Sequence, residues 1–326
     1  MRIKDFNTMA KFFITLGVIF IISNHLCFSQ TNDNPSQDVY RKFELDTTTI
    51  LSERIKPGHP KILKMFEAAG MNPANRSLSE EELKIVTASI EKLPVLHQQV
   101  LRKRLLQISF LDNMPNTALT APVNPKDSLK LFTITVRAEI LDQTVSEWLT
   151  EKEKGCFDFS NSELDLRYDA GNLNALVYVL IHEATHIVDA ALGIYSNNPN
   201  PNLPEVLSED RFTKGVWEDR TKVSNKFENE LLDSTYFRSR KILSIKKAEE
   251  VYAALASSPF VSLYGRNSCH EDFAEFITIK YLNEKFGQKF SIVLSKNERT
   301  LMEFNPLKSK LVRKRMNELD QFCSIN

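Results

Sequence analysis

Residues 173–192 read LNALVYVLIHEATHIVDAAL, and this stretch decides the fold. Leu173, Leu176, Val177, Leu180, Ala184, Ile187, Val188 and Ala191 follow the helical period. No Pro or Gly interrupts Asn172–Leu192, and Gly193 supplies a stop signal. Inside the run, His182-Glu183-Ala184-Thr185-His186 spells HExxH. Residues four apart share a helix face, so both imidazoles can point at one zinc ion. Glu183 between them can reach a water on that metal, which makes metal-assisted hydrolysis, most simply of a peptide bond, the expected chemistry. The competing reading is a helix that turns two polar histidines to solvent. An apolar helix rarely holds such a group against a core without partners, because an unpaired buried polar group costs several kcal/mol by apolar-transfer estimates.

A catalytic zinc commonly takes three protein ligands and leaves one position for water. The Gly and third His of the metzincin pattern are missing, since Asp189 and Leu192 hold those places. Glu205, in an Asn/Pro-rich setting, is the nearest fit to a thermolysin-like ligand, but no convincing helical stripe follows it. A stronger candidate lies in Ser262–Phe276 (SLYGRNSCHEDFAEF). A helix starting at Asn267 or Ser268 would pack Phe273, Phe276, Ile277 and Tyr281, and would put Glu271, Glu275 and Thr278 on another face. Zinc on Glu271, with Glu275 as partner to a ligand histidine, relieves the crowding of two carboxylates beside an apolar stripe. Ser268-x-x-Glu271 also fits a capping box, which needs no metal. His270 is the rival ligand, set about 100° from Glu271 around the helix.

HExxH followed by Tyr-Gly-Arg (264–266), then Asn267 and Glu271, then Phe-Ala-Glu (273–275), resembles the catalytic domain of anthrax lethal factor and its gluzincin relatives. The resemblance covers about Leu173–Asp189 and Phe260–Tyr281. It implies an α+β fold, a zincin-like metallopeptidase catalytic domain that is mostly helical with a small mixed sheet. It implies one Zn2+ per chain on His182, His186 and Glu271, with Glu183 as general base. Tyr264 would be the phenol that supports the oxyanion or leaving group, and Asp189 an acid kept after the second His. For Tyr264 the alternative is an ordinary packed aromatic after Pro259–Leu263. Zincin-type enzymes bind extended peptide along a sheet edge. Leu129–Leu141 and Glu163–Tyr168 read as strands, and the second, just before the zinc helix, is the expected cleft edge or else an internal strand.

The N-terminus reads as a targeting segment. Arg2, Lys4 and Lys11 precede the apolar stretch Phe12–Ile22, which has signal-peptide length and is short for a membrane span. Cleavage after Ser29 is expected, and the destination is secreted, periplasmic or cell envelope; a membrane enters only if the segment stays uncleaved. Asn24-His25-Leu26 before Cys27 lacks the small residues of a lipobox. Loss of residues 1–29 removes Arg2, Lys4, Lys11 and Asp5, leaving 39 basic against 41 acidic residues and a net charge of −2. That balance gives no case for nucleic acid. The expected partner is a peptide or protein substrate.

Cys156, Cys269 and Cys323 remain in the mature chain, enough for one disulfide and too scattered for a structural zinc cluster. Residues 30–105 read as a leader and helical portion, with helices over His59–Ala69, Ser79–Lys92 and Val95–Leu106; residues 106–326 read as the catalytic domain. Lys308–Arg315 reads as one solvated helix face, and Trp217 as a packed aromatic more readily than a cleft residue. Ser196–Asn202 is a turn-rich loop. No phosphate loop or Ser/Cys nucleophile motif is visible. The readings from other classes are a zincin-fold protein that binds a partner without turnover, against which the intact Glu183 argues, and a zinc hydrolase of a non-peptide bond.

Overall fold

The computed structural model describes residues 35–194, 212–235 and 242–319. The targeting segment, the loop Ser196–Asn202, Glu205 and Cys323 lie outside the described residues. The helices, in chain order, are α1 (Pro35–Lys42), α2 (Pro60–Ala68), α3 (Glu80–Glu91), α4 (Val95–Arg104), α5 (Val145–Lys154), α6 (Ala175–Leu192), α7 (Glu230–Asp233), α8 (Ala248–Ala256), α9 (Cys269–Phe286) and α10 (Lys310–Glu318). The strands are β1 (Ala74–Asn75), β2 (Leu105–Asp112), β3 (Ala118–Pro122), β4 (Phe132–Arg137), β5 (Phe157–Asp158), β6 (Leu164–Asp169), β7 (Leu243–Ser244), β8 (Ser291–Lys296) and β9 (Arg299–Phe304). The chain is thus a mixture of helix and sheet.

Two sheets matter for the site. The first has the order β1-β2-β4-β3. Its central pair, β2 and β4, is parallel, and β3 runs antiparallel to β4 with Ala118 opposite Val136 and Pro122 opposite Phe132. β4 is buried along nearly its whole length, as expected of a strand covered on both faces. β3 is half-buried throughout and forms the sheet's outer edge. The second sheet, β6-β8-β9, is antiparallel, and its hairpin turns through Asn297 and Glu298, both at positive φ.

Three expectations change. The helical pattern expected to run to Leu106 stops at Arg104, where β2 begins at once; the register of Leu105 and Ile108 belongs to the sheet. The strand over 163–168 is real, as Leu164–Asp169, but pairs only with β8 in the second sheet. The strand lying against the HExxH helix is β3, which no sequence pattern singled out. Finally, Arg315 is not on a solvated face: α10 buries Val312, Arg315 and Met316.

Residues on both sides of the boundary expected at 105/106 share one hydrophobic core, from Leu51 and Val86 through Ile134 and the apolar residues Ala175 to Val188 of α6 to Leu319. α6 is long and apolar enough to cross a membrane, yet it is the buried centre of this core, with α3, α4, α5 and α9 packed on it. Ser79 caps α3 with a reciprocal capping box to Glu82. Buried His97 on α4 places Nε2 2.9 Å from Thr185 Oγ1 inside the HExxH sequence. The Thr185 hydroxyl donates to Ile181 O at 2.7 Å, so the imidazole is the donor, in its neutral Nε2–H tautomer. Burial pushes the His97 pKa down to about 3 and keeps that form.

Candidate metal centre

Two helices build the site from opposite directions. α6 is buried around most of its circumference: thirteen of its eighteen residues are buried, His182, Thr185 and Asp189 among them. Asn174 caps its start by accepting from Leu176 N, and Gly193, at φ 70°, ends it in the left-handed conformation that Gly adopts at least cost. His182, only 7% exposed, cannot belong to a solvent-facing polar stripe. α9 starts at the Ser268 cap and ends at Gly287, φ 64°, and packs against α6.

Glu271 separates the two readings of its sequence context. Ser268 Oγ accepts from Glu271 N at 3.2 Å, which is half of a capping box. The Glu271 carboxylate does not return to the Ser268 backbone; it crosses to α6. Its Oε2 stands 3.0 Å from His182 Nε2 and 3.4 Å from His186 Nε2, and the two Nε2 atoms are 3.2 Å apart. One ligand atom from each of the three residues lies within 4.8 Å of the others. Ligands about 2.0–2.1 Å from a tetrahedral zinc stand about 3.3 Å from each other. The trio therefore already has the separations that a small tetrahedral cation requires, and the donor set of two imidazoles and one carboxylate suits zinc.

The electrostatics agree. Burial opposes charge on His182, but hydrogen bonds and charge from Glu271 and Glu275 prevail and raise its pKa to about 10. His186 is raised for the same reason, against burial, by Glu271. Burial pushes the Glu271 carboxyl up, and the two histidines more than reverse this, holding it well below the usual range. The cluster thus demands positive charge at its centre. A metal ion would supply it, displacing protons from the ligands.

Glu275 lies one turn beyond Glu271, only 1% exposed. Its Oε1 is 3.1 Å from His182 Nδ1 and accepts from Tyr178 Oη at 2.9 Å; its Oε2 accepts from Ser262 Oγ at 2.7 Å. Burial would raise its pKa, but Lys152, His182 and Ser262 bring it down to about 2. A fixed anionic acceptor behind the far nitrogen orients a ligand histidine with Nε2 forward. His270 is absent from the trio. Its Nδ1 is 2.6 Å from Asp189 Oδ2, so Asp189 meets His270, whereas the sequence suggested a role beside the ligands.

Glu183 and Tyr264 line one cavity of about 430 Å3 together with His182. Thr120 Oγ1, on the edge strand β3, donates to Glu183 Oε2 at 2.6 Å. The Tyr264 ring is 5.8 Å from that of His182, and Lys152 Nζ sits 3.9 Å above it. The same ammonium is 3.9 Å from Glu275 Oε1. Thr120, Tyr178, Lys152 and Ser262 escaped sequence reading. Tyr178 alone carried a signal, since it lies one helical turn before His182 on the same face.

Next to Glu271, Asp272 points the other way. It is fully buried, with Arg315 Nη2 at 2.6 Å and Trp217 Nε1 donating at 2.8 Å. Trp217 is therefore packed and hydrogen-bonded away from the cavity. Cys156 and Cys269 are buried and not joined to each other.

Comparison of the chain with protein-family models, with curated proteins and with solved structures gives no match in any of the three.

Proposed function

We propose that this protein is a zinc-dependent endopeptidase with a zincin-like catalytic domain, acting on peptide or protein substrates outside the cytoplasm. The observation that carries the reading is the convergence of His182 Nε2, His186 Nε2 and Glu271 Oε2 at 3.0–3.4 Å, with Glu183 beside them in an open cavity. His182, His186 and Glu271 would hold the ion. Zinc in such a site supplies an acidified water and a Lewis acid for the scissile carbonyl.

The chain's own groups perform the rest. Glu183 takes a proton as the water attacks and returns it to the leaving amine. Thr120 fixes one oxygen of Glu183, which leaves the other to receive the proton. Tyr264, in the same cavity, would donate to the developing oxyanion, and the Lys152 ammonium over its ring draws electron density away from the phenol oxygen and so strengthens it as a donor. Glu275 holds His182 in the tautomer that presents Nε2. The half-buried edge strand β3 offers unpaired backbone groups to an extended peptide. The targeting segment read in residues 1–29 supports an envelope or secreted location.

The test combines metal analysis of the purified protein with cleavage of an unbiased peptide library by wild type and Glu183→Gln. One zinc per chain in both proteins is expected, with a loss of about 10²–10⁴ in turnover for the variant. Zinc without cleavage would favour a binding role. Absence of bound zinc after dialysis against buffered zinc would sink the proposal.

A further inference from the structure

The cavity beside the metal centre holds three carboxylates and two cationic side chains in its wall, and they are not matched. Glu275 is engaged by His182, Tyr178, Ser262 and Lys152. Glu183 accepts from Thr120, and Glu151 accepts from Gln143 Nε2 at 2.7 Å. Arg137 is the exception. It ends β4, where its backbone N–H donates to Thr117 O at 2.9 Å, and its half-buried side chain lines the cavity. Its Nε is buried without a hydrogen-bond partner, and no described carboxylate lies within ion-pair distance of its guanidinium. A partly desolvated guanidinium without an anion is costly, and the planar fork of Arg matches a carboxylate with two parallel hydrogen bonds.

We infer that Arg137 is a specificity-determining residue that binds a carboxylate of the substrate, on the C-terminal side of the bond that is cut. This rests on the peptidase reading above. The direction follows from strand order. Thr120 of β3 marks the level of Glu183, and Arg137 lies at the Thr117–Ala118 end of that strand. A peptide adding antiparallel to β3, the more stable pairing, runs from the Pro122 end toward the Ala118 end. Residues beyond the scissile bond therefore approach Arg137. The carboxylate is either an Asp or Glu side chain or the free C-terminus of a short peptide, since both present the same two oxygens.

The two sources separate in one experiment. Labelled peptides cut by the wild type are made in matched pairs: Glu against Gln at each position on both sides of the cut, and free acid against amide at the C-terminus. Binding is measured by fluorescence anisotropy on zinc-loaded Glu183→Gln and on the Glu183→Gln/Arg137→Gln double variant; cleavage is measured on wild type, Arg137→Gln and Arg137→Lys. The expected result is a preference of about ten- to a hundredfold for the carboxylate partner on the C-terminal side, from charge-assisted hydrogen bonds. It should fall to within about twofold in Arg137→Gln and recover in part in Arg137→Lys, with zinc content and Tm unchanged. Preference for Glu over Gln identifies the side chain, and preference for acid over amide identifies the C-terminus. Equal binding of both members of every pair, a preference on the N-terminal side, or one that survives Arg137→Gln overturns the inference. If no library peptide is cut, the peptidase reading fails separately, and the same pairs on a generic decapeptide test by anisotropy whether Arg137 binds a carboxylate at all; no preference that depends on Arg137 then overturns the inference.

Discussion

Glu271 and Asp272 are adjacent on one helix and serve opposite kinds of cluster. Asp272 is closed: Arg315 and Trp217 reach both of its oxygens, Arg315 also donates to Pro259 O and Phe212 O, and all three residues are buried. Its anion and cation are both supplied by the chain. The Glu271 cluster is open: two imidazoles and a carboxylate face each other, the carboxylate raising the pKa of both histidines and they lowering its own. A closed cluster adds specificity to folding. An open one gathers donor atoms of the kind a cation takes. The contrast between neighbours on one turn supports the proposed metal site, because the first shows how this fold handles a buried acid when only structure is at stake.

Breaking the closed cluster should produce the largest change in stability. Arg315→Ala leaves Asp272 buried and unpaired and is expected to cost about 3–5 kcal/mol in urea unfolding, while the folded fraction keeps its zinc. A cost below about 1 kcal/mol would mean that the pair is not a structural closure. In the open cluster the effect should move from stability to rate. Tyr264→Phe should lower kcat by about 10²–10³ with zinc content and Tm intact; an unchanged kcat would remove the phenol from the chemistry. Glu275 shares features of both clusters, being locked by Tyr178 and Ser262 yet directed at His182. Glu275→Gln should weaken zinc about 10–100-fold in competition with a chelator, and equal affinity would show that His182 needs no such support.

The smallest effect tests the brace behind the metal helix. Burial holds the His97 pKa near 3 in the folded protein, below the unfolded value of about 6.5. The stability contributed by neutral His97 is therefore fully present above pH 6.5. It is lost as pH falls toward the folded value, at about 1.4 kcal/mol per unit. Unfolding curves at pH 7 and pH 5 should differ more for wild type than for His97→Gln. Parallel losses in the two proteins would exclude this histidine as the titrating group.

His182, Glu183 and His186 were legible because they sit within one helix, which converts sequence distance into geometry with little ambiguity; the same period put Glu271 and Glu275 on one face, but that this face meets HExxH came from the family resemblance, since no spacing shows which helices pack together. The wall of the cavity was not legible. Thr120 and Arg137 come from strands 63 and 46 residues before Glu183, and only the register of β3 on β4 brings them there. A five-residue edge strand with no alternation gives a sequence reader nothing to hold. Arg315 was misread for a related reason: a basic run looks solvated until a buried acid from another helix is found opposite it. The helix ending at Arg104 was overrun because no Gly or Pro marks the junction, and the pull of the sheet on Leu105 decides it.

That junction has a consequence for processing. α4 is bound into the rest of the fold: it runs into the sheet without a linker, and His97 meets Thr185 in the middle of the HExxH sequence. A cut between Arg104 and Leu105 would free the wall that packs behind α6, so the two parts of the chain share one stability.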